Sequence, residues 1–312
     1  MDKNIRYIFT IGSIIIGSSL TFYGCQKSAN STSLPPSVST VADEEFGQYW
    51  YTGKAEVSSY KLKQSRYGEI HEGDAVLIFV TEPFSNSKQV KLDYPDKAGS
   101  DNVSVMKLNY TKKFNTGIYP YSMMLSSFTP IDTYHHTKTL KVTTSVQEWC
   151  GHVFTQMNLN KDEYKVNAYS YFEQEGDNTF TMKHAFMEDE IFNRIRIDYK
   201  TLPTGEFQMI PGLFYTRLTH KELEVQNVSA ELSENDDTFR YLVKFKESKR
   251  TLNITFQKAF PYQILRWEDT YNGAGGKTLT TSAELNKSLY TPYWAKNSKV
   301  DIHLRDSLDL RF

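Results

Sequence analysis

The sequence predicts a mainly β fold, a curled antiparallel sheet or partly open barrel with one or two covering helices. Three observations carry this. Between residues 221 and 270 apolar and polar side chains alternate in successive runs separated by short polar turns, the period of half-buried strands. The same alternation appears at Leu140, Val142, Thr144 and Val146 against Lys141, Thr143 and Ser145. Helical spacing, by contrast, is clear at one place only, where Met187, Ile191 and Ile195 lie four apart. Composition suits such a body. The 312 residues are 39% hydrophobic and 23% charged, enough for one large domain or two modest ones, too polar for a polytopic membrane protein and too apolar for a disordered chain. A formal net charge of −1 argues against a nucleic-acid binder. Two cysteines exclude a disulfide scaffold.

The elements follow in chain order. Lys3 and Arg6 form a short basic head, and the stretch from Tyr7 to Phe22 is apolar or small with no charge. With Gly24-Cys25 after it, this is the basic, greasy, small order of a signal peptide. Its roughly 16 apolar residues fall short of the roughly 20 that a spanning helix needs. A small residue directly before a cysteine resembles the bacterial lipobox, with Phe22 where Leu is usual. That resemblance implies cleavage after Gly24 and lipid on the Cys25 thiol. Residues 25–45 then form a lipidated cysteine and a flexible tether, rich in Ser and Thr, with Pro35-Pro36 and no aromatic. The remainder, residues 46–312, is expected to be a single β-rich domain.

In that body, Phe46, Tyr49 and Trp50 share one face of a short helical turn. Residues 75–80 (Ala-Val-Leu-Ile-Phe-Val) read as a fully buried strand. Around Met187–Ile195, Glu188, Asp189 and Glu190 fall in the first helical turn and Arg194 and Arg196 in the last, which suits the helix dipole. From 221 to 270 four antiparallel strands are expected, with a change of phase at Asn227 suggesting a bulge. Gly273 to Gly276 mark the most flexible break.

Several clusters bear on chemistry. Glu148, Cys150 and His152 would face one way on a strand, as a zinc set or nucleophilic site; the bland alternative is a buried cysteine beside Trp149. The segment Tyr271–Thr278 ends like a phosphate loop, but Tyr271 stands where a glycine is required and the threonines after it favour strand. His135 and His136 lack a third ligand at a recognisable spacing, His71-Glu72 lacks the second histidine of a zinc protease, and no G-x-S-x-G is present. No metal site and no cofactor are expected. Among the many aromatics, Ile118 to Ile131 is the best ligand-binding segment. Its Met-rich mixture, with Tyr119, Tyr121, Met123, Met124 and Phe128 as candidates, suits an adaptable pocket.

Four segments carry a wider resemblance: Tyr49-Trp50-Tyr51-Thr52-Gly53-Lys54-Ala55-Glu56, Arg66-Tyr67-Gly68-Glu69-Ile70-His71, Thr116-Gly117-Ile118-Tyr119-Pro120-Tyr121 and Gln147-Glu148-Trp149-Cys150-Gly151-His152. Over essentially the whole mature chain the sequence resembles a family of Gram-negative cell-envelope lipoproteins of unestablished biochemistry, often labelled "septum formation inhibitor Maf". Maf proteins proper are cytoplasmic nucleotide pyrophosphatases with an early Ser-x-Ser-x-Arg-Arg motif. That motif has no match here, so no catalytic residue carries over.

These readings converge on a lipid-anchored envelope protein, at the outer membrane on its periplasmic or surface face, that binds an apolar or amphiphilic ligand or an envelope partner. The expected partners are the membrane, through the anchor, and a lipid, glycan or envelope protein, with no nucleic acid. A hydrolase using Glu148, Cys150 and His152 is the second class, and a Maf-type pyrophosphatase the third.

Overall fold

The computed structural model describes residues 41–273 and 276–310. The signal segment, the lipidation candidate Cys25 and residues 26–40 of the tether lie outside the described residues. A first helix, α1 (Val41–Trp50), is followed by β1 (Ala55–Arg66), β2 (Glu69–Ser85), β3 (Asn102–Thr116), β4 (Tyr119–Pro130), β5 (Lys141–Glu148), β6 (Gly151–Asn160), β7 (Glu163–Tyr169) and β8 (Asn178–Lys183). Then come β9 (Phe186–Met187), a 3₁₀ turn at Glu188–Glu190, α2 (Ile191–Asp198), β10 (Gly205–Ile210) and α3 (Leu213–Thr219). The chain closes with β11 (Gln226–Glu234), β12 (Thr238–Phe245), β13 (Arg250–Gln257), β14 (Ile264–Asn272), β15 (Thr278–Thr291) and α4 (His303–Ser307).

All fifteen strands form one open sheet in the order β8-β7-β6-β5-β4-β3-β2-β1-β15-β14-β13-β12-β11-β10-β9. The chain walks outward from β1 to one edge, crosses to the other, and returns to lay β15 against β1. Every pairing is antiparallel except the short β9–β10 contact. The fold is therefore mainly β, as the alternation predicts. Four α-helices are described where one or two were expected; α2 and α3 are the ones that cover the inner face of β3 and β4.

Two facts measure the curl. Tyr110 on β3 and Trp267 on β14 are separated by three intervening strands, about 19 Å on a flat sheet. Their ring centroids are 5.5 Å apart. The edge strands β8 and β9 are also joined by only two residues, His184 and Ala185. The sheet thus bends until its two ends meet at one point, without a hydrogen-bonded seam between them.

Alternation puts Tyr60, Leu77, Leu108, Tyr110 and Val243 on the inner face, in one hydrophobic core that runs through the sheet. Helix α2 lies inside the curl with Ile191, Asn193, Arg194, Ile195 and Arg196 all buried. A small second cluster of Phe84, Val103, Val105 and Leu140, with Phe128 packed against it, includes outer-face residues of β2 to β4. Residues 75–80 are not buried throughout: Ala75, Leu77 and Phe79 are 0% exposed, but Val76 and Ile78 point outward and stay half-exposed. The bulge expected at Asn227 is absent. Asn227 pairs with Gln208 in unbroken register, and the change of phase is simply the start of β11, since Leu223 and Val225 precede it. Register shifts fall instead at Ser59/Tyr60 and Thr255/Phe256.

Candidate functional site

Glu148, Cys150 and His152 do not lie on one strand. They span the β5–β6 hairpin, whose two-residue turn is Trp149-Cys150. Glu148 ends β5 and turns inward, pairing with Arg217 of α3 and accepting the Tyr119 hydroxyl at 3.0 Å. Cys150 is an exposed free thiol, and its backbone N–H donates to the Tyr119 oxygen at 2.7 Å. Neither the buried cysteine nor the one-faced strand is found. His152, on β6, is exposed and sits 2.9 Å from the Ser145 hydroxyl. The three side chains therefore go separate ways, the carboxylate neutralised by an arginine and the imidazole engaged elsewhere. Burial, the Cys150 side chain and the Glu148 carboxylate push the Tyr119 phenol above its usual range and outweigh the Cys150 backbone N–H, which pulls it down, so it stays protonated as the strut of this hairpin.

The ligand-binding candidates on β4 divide by strand alternation. Tyr119, Tyr121 and Met123 face inward; Met124 faces out at 42% exposure, and Phe128 stacks on Phe84 with centroids 4.7 Å apart. They do not form a single pocket wall. Of this segment, Leu125 is the residue that reaches the cavity described next.

That cavity, about 60 Å³, opens between the inner faces of β3, β13 and β14 and the helices α2 and α3. Its floor is a buried ion network. Arg250, 1% exposed, meets both Glu188 oxygens at 2.6 Å and the Asp269 carboxylate at 2.6 and 2.9 Å, while its plane rests 4.0 Å from the Tyr215 ring centroid. Burial opposes that charge, but Asp269 and Glu188 hold the guanidinium protonated. Glu188 and Asp189 also accept the Gly212 and Leu213 N–H groups at 2.8 and 3.0 Å, tying the start of α3 to the turn before α2. Burial and the neighbouring Glu188 push Asp189 up to about 8. Burial lowers Lys112, on β3, to about 8; its ammonium donates to Gln64 Oε1 at 3.2 Å. None of these residues was singled out as a site by sequence, although Glu188 and Asp189 were placed in the helix. The available signal was a charge in phase with the apolar side of its strand: Lys112 with Leu108 and Tyr110, Arg250 with Leu252 and Ile254, and Asp269 with Trp267 and Tyr271.

The cavity is small. A void of about 150 Å³ takes up benzene, so one of about 60 Å³ is too small for a lipid chain. Among the described residues no group of three or more His, Cys, Asp or Glu is placed to hold a metal. Gly273 and Gly276 lie between β14 and β15, so the segment leads into strand rather than helix, which removes the phosphate-loop geometry; residues 274–275 lie outside the described residues.

The larger apolar feature is at one end of the sheet. The turns β1–β2, β3–β4 and β5–β6 and the loop after β7 all lie at that end. They carry Tyr67 at 60% exposure, Ile118 at 83%, Trp149 at 65% and Tyr171 at 65%. The two-residue turn Tyr67-Gly68 has both φ angles positive (51° and 80°), the type I′ geometry that matches strand twist. Gly117 opens the next turn at φ 60°. These tips are propped from within. Tyr67 OH meets Tyr121 OH at 2.8 Å, Trp149 leans on Tyr119 with centroids 5.9 Å apart, and Tyr171 packs directly on Gly151, where a Cβ would come within 2.5 Å of its ring. Tyr67 is not among the candidates the sequence marks, and Trp149, expected beside a buried cysteine, is exposed instead. A large apolar residue beside a turn glycine between two alternating runs was the signal.

Fold and site together define a class: a curled, open antiparallel meander whose concave side is plugged by a polar-studded helix and whose hairpin ends are apolar. No protein-family model, curated protein or solved structure matches the chain.

Proposed function

We propose that this is a lipid-anchored envelope protein that acts by binding, and that the apolar hairpin end is its contact with an amphiphilic ligand or envelope partner. The observation that carries the reading is the row Tyr67, Ile118, Trp149 and Tyr171, four large side chains held in water by a rigid sheet. Single exposed apolar residues need no explanation, but their recurrence at each successive turn of one sheet end points to an interaction surface. Trp and Tyr suit it further, because each offers a wide apolar ring with one polar atom. The signal-like head and Gly24-Cys25 support placement at a membrane through acylation of Cys25.

Two measurements test this. Replacing Cys25→Ser should abolish acyl labelling and processing in a Gram-negative host; unchanged processing and acylation would remove the anchor. Mass spectrometry of lipids and proteins that copurify from native membranes should show a species lost in Ile118→Ser/Trp149→Ser. An identical inventory in both preparations would refute a binding role for this end.

A further inference from the structure

We infer that Lys112 is a covalent capture site for a short, uncharged aldehyde, which enters the cavity between the sheet and helices α2 and α3 and joins the lysine as a protonated imine. This goes beyond the binding role of the hairpin end and does not depend on it.

The donor count comes first. Lys112 points inward from β3, is 6% exposed and lines the cavity. An ammonium has three N–H donors and no acceptor. Among the described residues the acceptor it meets is Gln64 Oε1, at 3.2 Å. The Glu188 and Asp269 carboxylates on the same wall are turned to Arg250. Two donors are left in a buried space, where an unmade hydrogen bond is costly. A protonated imine has one N–H, which matches the one acceptor.

Charge selects the adduct. Arg250 puts one positive charge between the two carboxylates, so the cluster balances only with a second positive charge at Lys112. Asp189, the third carboxyl on the wall, is pushed up to about 8 by burial and Glu188 and is mainly neutral at pH 7. Burial also pushes the Tyr110 and Tyr271 phenols up, so they stay uncharged. A protonated imine keeps the required charge, whereas an amide or a carbamate removes it. The Phe214 and Tyr110 ring centroids, 5.4 and 5.5 Å from Nζ, favour a cation there. The same carboxylates repel a carbonyl compound that carries its own carboxylate. Size narrows the choice further. A cavity of about 60 Å³ is well under the roughly 150 Å³ that takes up benzene, which limits the carbon chain to about two or three atoms.

Reactivity agrees with geometry. Burial lowers Lys112 to about 8, with Arg250 adding to the effect and Asp269 and Glu188 opposing it. Roughly a tenth of it is then free amine at pH 7, against about one in 2,500 for a lysine at the ordinary value of about 10.4. Desolvation in an apolar pocket is one way a lysine becomes a nucleophile. The free Nζ adds to the carbonyl carbon. Overall, the carbonyl oxygen leaves as water with two of the three ammonium protons, the third stays on the imine nitrogen, and nothing is oxidised or reduced.

Lys113, next in the chain and turned out to solvent, is the internal control. The folded protein is treated at pH 7 with limiting propionaldehyde and cyanoborohydride, which reduces the imine to a stable propylamine, and modified lysines are mapped by tandem mass spectrometry. Lys112 should be alkylated at least about tenfold faster than Lys113. In guanidinium the two should react alike. Glyoxylate, which is anionic, and benzaldehyde, which is too large, should each alkylate Lys112 at least about tenfold more slowly than propionaldehyde does. Without reductant, propionaldehyde should raise the thermal midpoint of the wild type relative to that of Lys112→Met, whose unbranched apolar side chain keeps the packing. Lys112 reacting no faster than Lys113, or as fast with benzaldehyde or glyoxylate, overturns the inference, as do equal midpoint shifts in the two proteins. A preference for Lys112 that persists in guanidinium belongs to the local sequence rather than to the cavity and overturns it as well.

Discussion

Removing Glu56 tests the buried framework that fixes α2 inside the curl. Arg196, 0% exposed on α2, bonds Glu56 of β1 through both guanidinium nitrogens, at 2.7 and 2.5 Å. Its plane lies between Trp50 and Phe79, 5.1 and 4.9 Å from their centroids. An arginine cannot shed its proton to escape burial. Glu56→Ala therefore leaves an uncompensated charge in the core, a loss of about 3–5 kcal/mol. At roughly 2 °C per kcal/mol for a body of this size, the melting temperature should fall by about 6–10 °C. The double variant Glu56→Leu/Arg196→Met, which removes both charges and keeps the volume, should recover most of that. Thermal unfolding followed by circular dichroism and guanidinium unfolding followed by tryptophan emission would measure both. A loss below about 1 kcal/mol for Glu56→Ala, or a double variant no better than the single one, would refute the reasoning. The pH dependence has a definite sign. Burial works against the Glu56 charge, but Arg196 and the Tyr49 and Ser58 hydroxyls outweigh it and hold the carboxyl below its usual range. The pair's contribution is present above about 4.3, the ordinary glutamate value. It is lost as pH falls through the lower folded one.

Other expectations follow from the same geometry. Asp189, pushed up to about 8, binds a proton in the folded state that it has lost in the unfolded chain between about pH 4 and 8. Stability should decline over that window, and Asp189→Asn should flatten the decline; identical guanidinium midpoint shifts between pH 5 and 8 in both proteins would contradict this. Lys112, lowered to about 8, has the opposite window: stability rises from about pH 8 to 10.4, and Lys112→Met removes the rise. Two glycines should respond differently to alanine. At Gly73 the new Cβ meets the Lys113 carbonyl oxygen at 2.3 Å, backbone held in the middle of the β2–β3 pairing, whereas at Gly151 it meets Tyr171 Cγ and Cβ at 2.5 and 2.6 Å, in a loop outside the strands whose backbone can shift. Gly73→Ala should therefore lower the melting temperature more than Gly151→Ala, and the reverse order would show that the β2–β3 pairing has slack.

Periodicity made the body legible where one face is wet. Val142, Thr144 and Val146 are buried against half-exposed Lys141, Thr143 and Ser145, and the four strands between 221 and 270 appear as β11 to β14. The helix expected at Met187 to Ile195 forms as a 3₁₀ turn and α2, but its charges have other work. Glu188 and Arg196 were assigned to the helix dipole, yet they reach Arg250 of β13 and Glu56 of β1. A local pattern cannot reveal partners 62 and 140 residues away in the chain. The misplacement of Glu148, Cys150 and His152 has a different cause. This two-residue turn has no glycine at its tip, so Trp149-Cys150 reads as continuing strand. The split of Met123 from Met124 follows from alternation alone; only the direction of the curl decides which side becomes the lined one.

Where such a molecule can bind is constrained by what fills its concave side. Asn193 of α2 donates from its side-chain amide toward the Met106 and Ser127 carbonyls and the Ser127 and Thr129 hydroxyls, all within 3.3 Å. Arg194 bonds Glu190 at 2.9 Å and the Thr137 carbonyl at 2.6 Å, and Arg196 holds Glu56. A lipid chain entering the curl would have to expel this helix and strand two buried charges, at about 3–5 kcal/mol for each broken pair. Leaving the backbone acceptors unpaired would add about 1–3 kcal/mol apiece. Those losses together rival the whole stability of a folded domain, about 5–15 kcal/mol. Capture inside the sheet is therefore closed to a large apolar ligand, and the apolar surface the molecule does offer is the one its hairpin ends already hold in solvent.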